Sequence, residues 1–273
     1  MKYLVPYDFS TIGQNALKQA IKLLRVTGGD LFLLHIVANK EDFKQKERQL
    51  KDYVVSLPES KEISISSHVV VGDVFTDIGK IAEYHGADLV VMGTHGVDAW
   101  QRIFGSHSVK IISHSIVPFV VVQEQAEINQ IKKIVMPMSF ASESTQVLRF
   151  AVEISKVYDA EIHLIVSKQK DEWIKHKVQS NLIFAERFME KSGVKHSFEI
   201  AEVRKSDFLN YIFEYSAKNE VDLMAVTYYS DSILPMFEKF VQQMITNPTH
   251  IPVLCVNAQS LKKAGSQFSF ITT

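Results

Sequence analysis

The feature that most constrains the fold is an internal repeat. Leu4-Val5-Pro6-Tyr7-Asp8-Phe9-Ser10 resembles Val135-Met136-Pro137-Met138-Ser139-Phe140-Ala141 at an offset of 131 residues. Asp88-Leu89-Val90-Val91-Met92 resembles Asp222-Leu223-Met224-Ala225-Val226 at an offset of 134, and Pro118–Val122 resembles Pro252–Val256 at the same offset. Anchors in one order with nearly constant spacing mark a duplication with one short insertion. A chain of 273 residues suits two domains of ordinary size. The repeat predicts units at 1–126 and 131–258, divided in the polar stretch Gln123–Glu127, with a tail at 259–273.

Within each copy, short apolar runs alternate with helical patterns. The first copy predicts strands at Tyr3–Tyr7, Leu31–Val37, Ser64–Val71, Asp88–Met92 and Phe119–Val122. Helices fall between them: one capped by Ser10 and stopped by Gly28-Gly29, a charged one at Lys40–Ser56, one at Val74–Tyr84 stopped by Gly86, and one at Ser106–Ser115. The second copy predicts strands at Lys133–Met138, Glu161–Val166, His196–Ile200, Asp222–Thr227 and Val253–Val256. Continuous apolar strands joined by helical crossovers imply parallel sheets covered on both faces. The fold class is α/β: two tandem, doubly wound, five-stranded units.

Charge and cysteine content narrow the function classes. The 30 basic and 31 acidic residues nearly cancel, which excludes a polybasic surface for nucleic acid or membrane. Cys255 alone can make neither an internal disulfide nor a thiolate metal cluster, and in a final apolar strand it reads as an inert core thiol. No leader or spanning segment is expected, and a reducing, cytoplasmic setting follows. Glycine is uneven: nine of the 11 lie between Gly13 and Gly105.

Ligands of open α/β sheets bind beyond the carboxyl ends of the strands, where strand order reverses. There the first copy carries Pro6-Tyr7-Asp8, Ile36 and Met92-Gly93-Thr94-His95-Gly96, followed by Gly105-Ser106 and a helix. Bare backbone at glycines and the unpaired amides of a helix start suit a phosphate. Tight turns alone would also use those glycines. Asp8 can accept hydrogen bonds from a ribose or base, or cap the helix after it. His95, His107 and His114 match no zinc spacing, so no metal site is assigned. Walker and dinucleotide glycine patterns are absent, as are catalytic triads and paired carboxylates.

The Met92–Gly96 segment, Gly105-Ser106, the apolar run Val117–Val122 and the opening Leu4–Ser10 together resemble the universal stress protein family. Its glycine pattern, G-x2-G-x9-G-[ST], is met by Gly93, Gly96, Gly105 and Ser106 with one residue fewer in the long gap. The resemblance covers both copies and implies a tandem member with strand order 3-2-1-4-5. It further implies ATP or AMP as a regulatory ligand. Adenine and ribose would lie against Pro6, Tyr7, Asp8 and Ile36, and phosphates against Gly93, Gly96, Gly105, Ser106 and the His107 amide, with Met92 beneath. Tyr7 stands where a small or hydroxyl residue is commoner, so it would crowd or stack on the base. In the second copy Ser139 replaces Asp8, Thr227 replaces Gly93, Ser230 replaces Gly96, and Lys239-Phe240 replaces Gly105-Ser106. That copy is expected to keep the fold and lose this mode of nucleotide binding. The copies are expected to pair through their last strands as an intramolecular dimer, and a homodimer of chains fits the same reading. Two other functions use the same residues differently. A nucleotide-independent scaffold would recruit a partner through Trp100–Phe104 and the tail Ser260–Thr273, and a slow ATPase would use Asp8 with a bound Mg²⁺.

Overall fold

The computed structural model describes residues 1–94, 107–229 and 235–258. His95, Gly96, Trp100, Phe104, Gly105, Ser106 and the tail at 259–273 lie outside them. The first half runs β1 (Lys2–Pro6), α1 (Thr11–Thr27), β2 (Asp30–Val37), α2 (Lys40–Ser56), β3 (Ser64–Val71), α3 (Val74–Tyr84), β4 (Leu89–Thr94), α4 (His107–Ser113) and β5 (Phe119–Gln123). The second half repeats this as β6 (Lys133–Pro137), α5 (Gln146–Tyr158), β7 (Glu161–Ser167), α6 (Glu172–Lys191), β8 (His196–Ala201), α7 (Phe208–Lys218), β9 (Leu223–Tyr228), α8 (Pro235–Ile245) and β10 (Val253–Asn257). Ser10 caps α1 by accepting from the Gly13 amide, and Gly28 closes the helix with φ +68°.

Each half is parallel with order 3-2-1-4-5, and the halves do not form separate sheets. They join in one ten-stranded sheet, β3-β2-β1-β4-β5-β10-β9-β6-β7-β8. The join is the antiparallel pair β5–β10, with Val121 opposite Val253, Val120 opposite Leu254 and Phe119 opposite Cys255. Beside the join all five residues of β5 and of β10 are buried, whereas the outermost strands β3 and β8 are largely exposed. Two apolar layers, one on each sheet face, run across the join. One is built on Tyr3, Val5, Leu33, Ile134 and Leu164, the other on Leu4, Leu34, Val90, Val135 and Cys255. The Cys255 thiol is fully buried, and burial pushes its pKa far above the ordinary thiol range.

The two halves clamp each other symmetrically. Gln123, ending β5, donates to the carbonyls of Asn247 (2.8 Å) and Ile245 (3.3 Å) after α8. Asn257, ending β10, donates to the carbonyls of Ser113 (2.8 Å) and Ile112 (3.4 Å) at the end of α4. The polar stretch that divides the repeats is bound down rather than loose. Asn15 donates to the Gln123 and Ala126 carbonyls at 2.9 and 3.1 Å, and Gln19 accepts from the Ile128 amide at 2.8 Å. α2 buries only Leu50, so its charges form a solvated face. Among the described residues no helix is long and apolar enough to cross a membrane.

Candidate functional site

In the first half the strand order reverses between β1 and β4. Pro6 is level with Leu34 of β2, and Leu4 with Val90 of β4. Continuing that register sets Pro6 beside Met92, with Ile36 one strand away and Asp8 and Gly93 just beyond. The fold thus brings Pro6, Asp8, Ile36, Met92 and Gly93 to one rim, at the reversal where such sheets hold ligands.

Tyr7 behaves differently from expectation. Its side chain belongs to the apolar layer of Val5 and α1, while Met92 and Ile36 belong to the layer on the other face. It is 2% exposed and stacks on Tyr53 with ring centroids 5.0 Å apart, with Phe9 edge-on at 5.1 Å. The crowding foreseen for a base is therefore taken up by Tyr53. The Tyr7 backbone is held as well: its amide donates to Leu34 O at 2.8 Å, and His35 Nδ1–H donates to its carbonyl at 2.7 Å. Burial, reinforced by the nearby Tyr53 hydroxyl and Asp8 carboxylate, pushes the Tyr7 phenol far above its ordinary range, so it stays protonated.

Asp8 is exposed, and its Oδ1 accepts from the Ser10 amide at 3.0 Å and the Ser10 hydroxyl at 2.5 Å. That hydroxyl in turn accepts from the Gly13 amide at 3.0 Å. Asp8 thus orients the Ser10 cap of α1, and Ser10 rather than Asp8 is the cap itself. Gly93 also has a structural cause. A Cβ there would lie 2.4 Å from Ile12 Cγ2 and 2.8 Å from the Ile12 carbonyl oxygen, so the missing side chain admits the first turn of α1. His107 opens α4 directly after Gly105-Ser106. Among the described residues no group of three His, Cys, Asp or Glu can hold a metal.

The second half carries the same rim with other chemistry. At the carboxyl ends of β6, β7 and β9 lies a cavity of about 670 Å³, within the range of small-molecule sites. Phe140, Phe208, Phe240, Leu209 and Val226 supply apolar wall. Thr227 lines it, and its register against Val256 matches that of Gly93 against Val122. Tyr229 joins the lining; burial pushes its phenol up to about 12, against hydrogen bonds with Ser139 and Ser144. The sequence reading named Thr227, Lys239 and Phe240 only as losses and missed this cavity. The signal was there: three phenylalanines, a tyrosine and two lysines near the carboxyl ends of the strands.

Two copies of a doubly wound unit, joined through their last strands and each with its own strand reversal, define a tandem α/β protein. Residues 1–123 match the universal stress protein family. A universal stress protein of Methanocaldococcus jannaschii is 27% identical over 154 residues, covering 45% of this chain and 95% of its own length. Across the whole chain, a universal stress protein from Archaeoglobus fulgidus aligns with a TM-score of 0.70 at 15% identity, covering 94% of this chain and 98% of that one. A protein from Pseudomonas aeruginosa described as a putative universal stress protein aligns at 0.66 and 17%, covering 94% and 92%. A universal stress protein solved in complex with cAMP aligns at 0.39 and 13%, covering 47% of this chain and 98% of its own. The universal stress protein family is thus matched by the first half, residues 1–123, and the chain as a whole has the tandem fold seen in the first two structures.

Proposed function

We propose that the first half binds an adenine nucleotide, ATP or AMP, as a regulatory ligand. Adenine and ribose lie toward Pro6, Asp8 and Ile36, and the phosphates toward Gly96, Gly105, Ser106 and the His107 amide, with Met92 and Gly93 as the floor. The observation that carries this reading is an asymmetry. Both halves keep the strand reversal, and only the first keeps glycines at the positions where backbone amides could reach a phosphate. The match of the first half to a family with a relative solved bound to cAMP, itself an adenine nucleotide, agrees with this ligand class. Tyr7 contributes its backbone alone, since its ring is committed to Tyr53.

The test is calorimetry of ATP and AMP against the whole chain and its Gly105→Val variant. Wild type is expected to take up one nucleotide, and Gly105→Val to bind at least tenfold more weakly. Gly93 is the wrong position to mutate, because any side chain there displaces Ile12 whether or not a nucleotide binds. Absence of binding by the wild-type chain sinks the proposal.

A further inference from the structure

The second-half cavity has features that degeneration of a nucleotide site does not require. Its described lining contains Lys205 and Lys239 and no carboxylate. Both lysines are exposed at the rim, and neither makes an ion pair or hydrogen bond among the described residues. Deeper in, Thr227 is 4% exposed, and its Oγ1 is buried without a hydrogen-bond partner among the described residues. A buried hydroxyl left unpaired is destabilising, so a partner that supplies the missing bond is favoured there. The rings of Phe208 and Phe240 lie nearly parallel, at 13° with centroids 6.5 Å apart, and extend a flat apolar wall.

From these observations we infer that the second half binds a small aromatic anion: a flat apolar body among Phe140, Phe208 and Phe240, a polar atom on Thr227, and an acidic group at Lys205 and Lys239. Aromatic walls favour a ring by stacking, and two lysines at a rim whose described lining holds no carboxylate favour negative charge. A nucleotide suits the site less well. Thr227 and the Lys239-Phe240 pair put side chains where a phosphate needs bare backbone, and Tyr229 closes on Ser139 across the rim. This site is independent of the nucleotide reading of the first half.

The probe is 8-anilinonaphthalene-1-sulfonate, an aromatic anion, titrated into the full chain and followed by fluorescence. One saturable site per chain is expected. Leu209→Trp, which fills the cavity, is expected to weaken it at least tenfold, and Ser206→Trp at the rim gives a second filled variant should the first fold poorly. Lys205→Gln with Lys239→Gln is expected to lower affinity three- to tenfold for the sulfonate and to leave the neutral analogue N-phenyl-1-naphthylamine unchanged. Thr227→Val is expected to weaken the sulfonate two- to threefold. The inference is overturned by any of three results: no saturable binding, binding indifferent to both filled variants, or equal loss of the neutral and anionic probes in the lysine variant. Displacement of the probe by ATP that survives Gly105→Val also overturns it, because the cavity is then a second nucleotide site.

Discussion

The amino ends of the strands make the same contacts in both halves, and the carboxyl ends do not. The Lys2 amide donates to Asp88 Oδ2 at 2.8 Å, and the Lys133 amide to Asp222 Oδ2 at 3.0 Å. Lys2 Nζ caps the His85 carbonyl at 2.9 Å, and Lys133 Nζ the Asn219 carbonyl at 2.7 Å. Even the first residue past each opening strand repeats, with Tyr7 N donating to Leu34 O at 2.8 Å and Met138 N to Ile165 O at 2.9 Å. Three residues further the copies part. Ser10 caps an α-helix that starts at Thr11, whereas Ala141 offers no cap and the second copy opens with a 3₁₀ turn, Ser142–Thr145, before α5. Gly93 admits the first turn of α1, and Thr227 fills the matching place with a side chain. Between the copies, the end that holds the sheet is alike and the end at the strand reversal differs. This division is expected where scaffold and site occupy opposite ends of the strands.

The sharpest way to break this comparison is to exchange residues between the copies. Gly93→Thr is expected to destabilise the protein by about 3 kcal/mol through overpacking against Ile12. Thr227→Val, which removes the unpaired hydroxyl at equal volume, is expected to be neutral or stabilising. Urea denaturation of both variants checks the pair, and equal losses would refute the packing role of Gly93. The cap comes next in size. Ser10→Ala is expected to cost about 1 kcal/mol. Ser142→Ala, whose exposed hydroxyl reaches only its neighbour Glu143, is expected to cost next to nothing in the same assay.

Smaller still are the helix stops. Gly28 and Gly86 take φ +68° and +62°, and at the matching places Asp159 and Glu220 take +52° and +54°. The second copy thus makes the same left-handed turns with side chains that disfavour them. Glu220→Gly is expected to stabilise by about 0.5–1 kcal/mol and Gly86→Glu to destabilise by about as much, read as opposite shifts in thermal midpoint. The smallest effect is in pH. Burial, then the His68 and Lys2 charges, lowers the pKa of His85 in the folded chain. Between that lowered value and the unfolded value of about 6.5, the unfolded chain binds more protons. The contribution of His85 is therefore complete above the unfolded pKa and falls away as pH drops below it. His85→Asn, the residue of the second copy, is expected to flatten the stability profile between pH 7.5 and 5.5.

Much of the fold could be read in the sequence because its causes are local or repeated. Lys40–Ser56, Ser64–Val71 and Val74–Tyr84 are found as expected, since amphipathic periodicity and the flanking stops determine them. The uneven glycine count had two causes: helix stops, which the second copy makes without glycine at Asp159 and Glu220, and close packing, as at Gly93. Packing partners remote in sequence were hidden. Nothing in the local pattern sets Tyr7 on Tyr53 rather than in the crevice, because that depends on where α2 lies over the sheet. Nor does it show that the two sheets fuse, since β5 and β10 read alike whether they meet or face solvent on one edge. The second cavity was overlooked because its residues were judged by what they replaced.

The central claim is that one fold, used twice, carries a nucleotide in one copy only. Native mass spectrometry of the intact chain with excess AMP counts this directly. The account predicts a single AMP adduct on the 31.0 kDa chain, lost in Gly105→Val and retained in Leu209→Trp. Two adducts per chain, or one that survives Gly105→Val and disappears in Leu209→Trp, would contradict it.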